Sequence, residues 1–348
     1  MKLNIADKII NNNSPAFIIA ELSANHNKDL DLAKKTLKAM KNAGADAVKI
    51  QTFTPESMTL DLNLPHFIAR KGTLWENQRL FDLYKICQTP REWHPVLQEQ
   101  ARQLGLIFFS TPFDAEDVDY LDQLNVPAFK VASPEITDLP LIEYIANLGK
   151  PIILSTGVAT EKDLMEALAI IKKTGNKQIA ILKCTTAYPA LIEDANLLSI
   201  PYIRDSFKVV AGLSDHSIGI SVPIASIVLG AKIIEKHFIL DRNLGGPDAS
   251  FSLEPNEFKK MVDSVREVEQ ALGKKGYNLS KEAKKSRSSM RSLFAIDDIT
   301  SGNKFSNDNI KTLRSSLGIH PKYFNSIVGK KAKKNIKKGT PLDWNLVK

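Results

Sequence analysis

The stretch VVAGLSDHSIGISVPIASIVLGAKIIEKH, residues 209–237, decides the fold. Residues 209–213 and 231–235 are short apolar runs that read as buried strands, and each runs on to a histidine, His216 and His237. Between them residues 218–230 are apolar nearly throughout, long enough for a buried helix, and end in Gly230 as helices often do. A strand, a helix and a second parallel strand form a right-handed crossover, which returns both strand C-termini to one face of a sheet. Neutral imidazole is the commonest protein ligand for metals, so two histidines on that rim suit Mn, Zn, Fe or Co. Two histidines are not a full ligand set, and on their own they read equally as unrelated polar residues capping strands.

Working outward, the same kind of run recurs: AFIIAE (16–21), AVKIQT (47–52), LIFFST (106–111), AFKVAS (128–133), PIILST (151–156) and IAILKCT (179–185) precede VVAGLS (209–214) and AKIIEKH (231–237). Eight strand and helix units in roughly 250 residues is the arithmetic of a TIM (β/α)8 barrel. A doubly wound open sheet usually has fewer strands, and no GxGxxG follows the first run.

Each run finishes in residues that can do chemistry, and strand C-termini are where barrel enzymes keep their active sites. The ends carry Glu21, Lys49 with Gln51, Ser110 with Thr111, and Lys130 with Ser133. They continue with Ser155 and Thr156, Thr185 and Thr186, Ser214 with His216, and Glu235 with His237. Serines and threonines at such places also cap the next helix. Lysines inside VKIQT and FKVAS are harder to dismiss, because a buried ammonium needs an anionic partner. If these ends converge, two lysines and several hydroxyls suit a phosphate, with Glu21, Glu135 and Asp248 as nearby carboxylates. A metal beside a phosphate site suggests a polarised carbonyl in a second substrate. Glu135 is a candidate acid or base, with a plain surface carboxylate as the alternative. Lys49 or Lys130 could instead form a Schiff base, as in a metal-free aldolase, although the paired histidines weigh against it.

The 348 residues, 43% hydrophobic, suffice for one large domain and a small one. No run approaches the ~20 apolar residues of a membrane span, and the N-terminus lacks a signal-peptide pattern. Cys87 and Cys184 form neither a disulfide framework nor a CxxC motif, so a reducing cytoplasm fits best. The net charge of +8 divides unevenly: residues 274–348 carry 18 Lys and Arg against 5 Asp and Glu, which leaves the rest at −5. That basic tail lacks the aromatic interleaving of a single-strand binder and any DNA-binding motif, so nucleic acid is not an expected partner. A solvated basic surface explains it, and a third reading is attraction of a doubly anionic substrate.

Residues 274–289 read as a polar connector after a catalytic domain of residues 1–273. Beyond it a different pattern begins: Ile299, Gly302 and Phe305 recur 37 residues later as Ile336, Gly339 and Leu342. Two copies make a pseudo-symmetric small fold and not a solenoid, so residues 290–348 are expected to form a compact β-rich module.

The motifs AELSANHN (20–27), GADAVKIQTF (44–53), FFSTPFD (108–114), FKVASPEITDLPLI (129–142), GKPIILSTG (149–157), KCTTAYP (183–189), GLSDHSIG (212–219), EKHF (235–238) and GGPDASFSL (245–253) together resemble the sialic acid synthase family. The tail from about residue 290 is similar to the family's antifreeze-like, or SAF, domain. Within the family, ELSANHN, GTLWE (72–76), KCTTAYP and PDASFSL resemble the branch that makes pseudaminic acid. Leu22, Ser23 and Thr186 depart from the neuraminate-forming pattern, which points away from N-acetylmannosamine as the sugar.

The resemblance implies condensation of phosphoenolpyruvate with 2,4-diacetamido-2,4,6-trideoxy-L-altrose, the alternative product being N-acetylneuraminate or legionaminate. It implies that His216 and His237 bind a divalent metal (Mn, Mg or Co). Lys49, Thr111, Lys130, Ser133, Ser155 and Ser214 match the phosphoenolpyruvate site, with Thr186 where an Asn is usual. Glu21, Gln51, Tyr188 and Asp248 match positions that face the amino sugar. Arg314, in KTLRSSLGI, corresponds to an arginine sent into the partner's barrel of a domain-swapped homodimer. Catalytic roles fall to Glu135, Glu21 and Lys130. A Schiff-base aldolase and a non-catalytic carbohydrate-binding protein are the readings from other classes.

Overall fold

The computed structural model describes residues 1–348, which divide into two compact units, Met1–Gly273 and Lys274–Lys348. The first unit begins with an antiparallel hairpin, β1 (Lys2–Ile5) and β2 (Lys8–Asn11). The sequence reading did not anticipate it. Leu3, Ile5 and Ile10 from the hairpin are buried in the main core, and the Asn4 amide donates to the Gln178 side chain just before a barrel strand begins. The hairpin therefore packs at the N-terminal end of the strands.

Eight parallel strands then close a barrel: β3 (Phe17–Glu21), β4 (Ala47–Thr52), β5 (Ile107–Pro112), β6 (Phe129–Val131), β7 (Ile152–Ser155), β8 (Ile179–Cys184), β9 (Val210–Asp215) and β10 (Ile233–His237). Neighbours in sequence are neighbours in space, and β10 pairs with β3 to shut the ring. These are the eight apolar runs. They lack alternation because both faces are covered, one by barrel interior and one by helices, as parallel strands require. The short helix Ser221–Val228 makes the crossover between β9 and β10, and the long helix Pro255–Leu272 buries Phe258, Met261 and Val265 in the core. No helix is long and apolar enough to cross a membrane.

The second unit has its own core, formed by residues that include Leu293, Ile299, Phe305, Ile336 and Leu342. Its only regular sheet is the pair β11 (Arg291–Ala295) and β12 (Ile310–Arg314). The two sequence copies meet directly, since the amides of Ile299 and Ile336 each donate to the other's carbonyl at 2.8 Å. Gly302 and Gly339 occupy matching turns with φ of 87° and 86°, the region that glycine enters without strain. The module is less strand-rich than its pattern suggests, because isolated bridges do much of the pairing. Residues 274–289 include a short helix, Lys281–Ser286, capped by Ser280.

Candidate functional site

The C-terminal ends of the barrel strands surround a cavity of about 590 Å³. Alternation along each strand decides what enters it. On β10, Glu235 and His237 point inward while Lys236 points out; on β9, Ser214 points inward, Asp215 out, and His216 follows at the rim. The same logic aims Lys49 and Gln51 of β4 and Lys130 of β6 at the cavity.

Its floor is a buried charge network. Lys49 Nζ lies 2.6 Å from Glu21 Oε2 and 3.8 Å from Glu235 Oε1, and Lys130 Nζ lies 3.4 Å from the same Glu235 oxygen. Lys49 also donates to Thr111, Ser214 donates to Glu235, and the Ser23 amide donates to Glu21. Burial works against charge on every one of these groups. For Lys49 the neighbouring Glu21 and Glu235 outweigh it and raise its pKa, while Lys130 and Lys49 outweigh it for Glu235 and hold that carboxylate low. Burial lifts Glu21 to about 7 despite Lys49, and lowers Lys130. Two ammonium groups thus face one firmly ionised carboxylate, which leaves a site that favours an anion.

Hydroxyls gather beside the lysines. The Ser155 and Thr186 oxygens are buried without a protein partner, and Ser133 accepts the Gly157 amide at 2.9 Å. They can crowd because residue 157 has no side chain: a Cβ there would lie 1.9 Å from Thr186 Oγ1 and 2.9 Å from Ser133 Oγ. Glu135 borders the same cavity, with Oε2 buried and unpartnered, and burial raises its pKa to about 7. A carboxyl poised near neutrality is suited to proton transfer.

The two imidazoles stand with ring centroids 5.2 Å apart. His216 donates from Nδ1 to the Thr185 carbonyl at 3.0 Å, which leaves Nε2 as the nitrogen open to a ligand; burial works against charge on this ring, but Cys184 outweighs it and raises its pKa. Burial, with His216 and the lysines nearby, keeps His237 well below its ordinary pKa and therefore neutral. Its Nδ1 is buried without a hydrogen bond, 3.7 Å from Asp248 Oδ2. Nowhere does a set of three or more His, Cys, Asp or Glu side chains gather at ligand range. The fit to a metal is therefore that of two imidazole nitrogens in a polar cavity, His237 already neutral and His216 free to bind once its Nε2 proton is displaced, with the remaining ligands left to water or substrate.

Among the residues singled out from sequence, Lys49, Gln51, Thr111, Lys130, Ser133 and Glu135 line the cavity, as do Ser155, Thr186, Tyr188, Ser214, His216, His237 and Asp248. Glu21 lies behind Lys49 as its ion-pair partner. Tyr188 packs on His216 at 4.6 Å and on Trp75 at 5.6 Å. Arg314 ends β12 in the other unit and is exposed. Glu235 was noted as a strand end without a role, although it anchors both lysines. One whole wall was also missed: Phe53, Met58, Ile68, Leu83, Tyr84 and Phe113 face the cavity, most of them from the segment after β4. Only GTLWE signalled that segment; its Trp75 donates to the Pro247 carbonyl.

The sequence signature of the NeuB family matches residues 36–277, and that of the SAF domain matches residues 290–348. The pseudaminic acid synthase of Helicobacter pylori is 49% identical over 94% of this chain and 96% of its own length. That of Campylobacter jejuni is 46% identical over 95% and 96%. The crystal structure of N-acetylneuraminic acid (sialic acid) synthetase from Leptospira borgpetersenii superposes with a TM-score of 0.74 at 31% identity, covering 82% of this chain and 95% of that one. A closed eight-strand barrel, a match across most of the chain and relatives this similar over their full lengths lead to one assignment: this chain belongs to the NeuB family and carries a C-terminal SAF domain.

Proposed function

We propose that the barrel condenses phosphoenolpyruvate with 2,4-diacetamido-2,4,6-trideoxy-L-altrose and water, giving pseudaminic acid and phosphate. The observation that carries the reading is the pair of buried lysines, Lys49 and Lys130, sharing one carboxylate beside the unpartnered hydroxyls of Ser155 and Thr186. Lysine charge and hydroxyl donors suit the phosphate and carboxylate of phosphoenolpyruvate, with Thr111, Ser133 and Ser214 completing the cradle. Gln51, Tyr188 and Asp248 face the sugar in this reading, Glu21 supports the site from behind Lys49 instead of touching the sugar, and the apolar wall receives its deoxy and acetamido methyl groups.

His216 and His237 would hold the metal; imidazole donors favour Mn or Co over Mg. When bound, the ion supplies Lewis-acid polarisation of the sugar's aldehyde. The new bond joins C3 of phosphoenolpyruvate to the aldehyde carbon, whose oxygen gains a proton. Lys49 and Lys130 hold the donor in place while positive charge develops at its C2, and Glu235 supports both. Glu135 takes a proton from the water that adds at C2. Breaking the bond from C2 to the phosphate oxygen then releases phosphate, and the C2 hydroxyl gives up its remaining proton to leave the ketone. The two water protons thus balance the one gained by the aldehyde oxygen and the one carried off by phosphate. Only stabilisation exceeding that of the ground state speeds these steps. The proposal extends to a cytoplasmic, domain-swapped homodimer in which Arg314 reaches the partner's cavity, with residues 1–273 catalytic, 274–289 linking and 290–348 the SAF domain.

Phosphate release from phosphoenolpyruvate against a panel of hexosamine-derived sugars, with and without chelator, tests the reading. Turnover of the altrose-derived sugar that is lost on chelation is expected. Preference for N-acetylmannosamine, or turnover indifferent to chelator, would overturn the acceptor or the metal respectively.

A further inference from the structure

Directly behind the two imidazoles, on the outer face of the barrel wall, lies a buried ion pair that the proposed chemistry does not use. Asp215 immediately precedes His216, Lys236 immediately precedes His237, and the two are register partners across β9 and β10. They are 5% and 1% exposed, so neither charge is solvated by bulk water. Lys236 Nζ lies 2.5 Å from Asp215 Oδ2 and also donates to the Ser217 carbonyl. Asp215 Oδ1 accepts the Ser217 amide at 3.0 Å. A closed loop of three contacts therefore ties the turn bearing His216 to the strand bearing His237. Along each chain the charged residue faces the helices and the histidine faces the cavity.

Stability alone does not explain charge at this place. A buried ion pair is often no more stabilising than an apolar pair of the same volume, since desolvation offsets the attraction. The surroundings offer such a pair readily, because Ile234 shares the outward face of β10 and Leu213 that of β9. What apolar side chains lack is direction: they cannot fix the Ser217 amide and carbonyl at once, and so leave the His216 turn free to shift. Groups bonded directly to metal ligands set ligand orientation, and their loss typically costs 10–100-fold in affinity. Asp215 and Lys236 act one step further back, through the backbone on either side of the ligands, so that range is the scale of effect to look for.

We infer that Asp215 and Lys236 are positioning residues that hold the two imidazoles at the separation a divalent ion requires. The inference rests on the metal role proposed above for His216 and His237.

The test is Mn2+ binding to the full-length, chelator-stripped chain, followed as the loss of the free-ion electron paramagnetic resonance signal, with phosphoenolpyruvate binding measured alongside. In Asp215→Leu/Lys236→Met, Mn2+ affinity is expected to fall 10–100-fold while the melting temperature and phosphoenolpyruvate affinity stay near wild type. Asp215→Asn/Lys236→Gln keeps polar groups toward Ser217, removes both charges together so that neither is left buried alone, and should show a smaller loss in the same direction. It provides the readout should the apolar double variant not fold. Wild-type Mn2+ affinity in a folded variant would overturn the tie alone. No Mn2+ binding by the wild-type chain would overturn the metal reading and the tie with it.

Discussion

Glu235 Oε1 lies 3.4 Å from Lys130 Nζ and 3.8 Å from Lys49 Nζ, so one carboxylate oxygen is shared by two buried ammonium groups. Glu235→Gln removes that charge and keeps the shape. Breaking a buried pair from one side typically costs about 3–5 kcal/mol, because the remaining charges stay buried without compensation. The variant is expected to melt at lower temperature and to lose turnover. An anion bound at the lysines restores the balance, so phosphoenolpyruvate should raise its melting temperature more than it raises that of wild type. Thermal scans with and without phosphoenolpyruvate decide it; equal shifts would count against the lysines as the donor site.

Gly157 is where the hydroxyl cradle is most tightly packed. A methyl at this position would have to displace Thr186 Oγ1, 1.9 Å away, and push against Ser133 Oγ. Overpacking of this kind costs about 1–3 kcal/mol. Gly157→Ala should raise KM for phosphoenolpyruvate tenfold or more and leave acceptor KM and Mn2+ affinity nearly unchanged. Steady-state kinetics with each substrate varied in turn separates these effects.

Much of this was legible in the chain because parallel barrel strands announce themselves as doubly buried apolar runs, and the residue at each end then falls on the rim by geometry. The lysines stood out for the same reason, as charges inside VKIQT and FKVAS. The wall from Phe53 to Leu83 was not legible: it follows β4 as an irregular segment with short helices, and nothing in its periodicity says which side chains turn inward. The hairpin β1–β2 was missed because two strands of four residues carry too little pattern. The partnership of Asp215 and Lys236 carries no signal in the chain itself, because it depends on the register between β9 and β10.

Glu135 has its pKa raised to about 7, chiefly by burial. If it takes a proton from water, it must be ionised to act, so kcat should rise as pH passes upward through about 7 and level off above it. Glu135→Gln should lower kcat by about 100-fold or more and remove that inflection, with Mn2+ affinity preserved. A pH–kcat profile of the variant that still bends near 7 would assign the proton transfer to another group, Glu21 being the next to examine.

His26 and His94 report on the fold instead of the chemistry. Burial is the main reason that both are lowered from 6.5 to about 4, and each is bonded as a neutral ring, His26 to Thr89 and His94 to Thr52. Between those pH values the unfolded chain binds more protons than the folded one. Their contribution is therefore complete above pH 6.5 and drains away as pH falls toward 4, by up to about 3 kcal/mol for each ring. Urea unfolding at stepped pH should show the decline, and His94→Gln, though less stable at neutral pH, should show a shallower one.

Acceptor choice follows from the wall opposite the charged floor. Phe53 makes edge contacts with Tyr84 and Phe113, at 5.9 and 5.4 Å between centroids, and Met58, Ile68 and Leu83 extend the apolar surface. A sugar with a methyl at C6 buries it there, whereas a hydroxymethyl loses hydrogen bonds to water that these side chains do not replace. Apolar pockets discriminate at this level by about 10–200-fold, so kcat/KM for the 6-deoxy acceptor should exceed that for its 6-hydroxy counterpart by a factor in that range. Ile68→Ser and Met58→Gln should narrow the ratio mainly by lowering kcat/KM for the 6-deoxy sugar, with KM for phosphoenolpyruvate unmoved. Equal kcat/KM for the two sugars in the wild-type enzyme would show that the wall does not meet C6, and the deoxy position would then have to be read by groups nearer Tyr188 and Asp248.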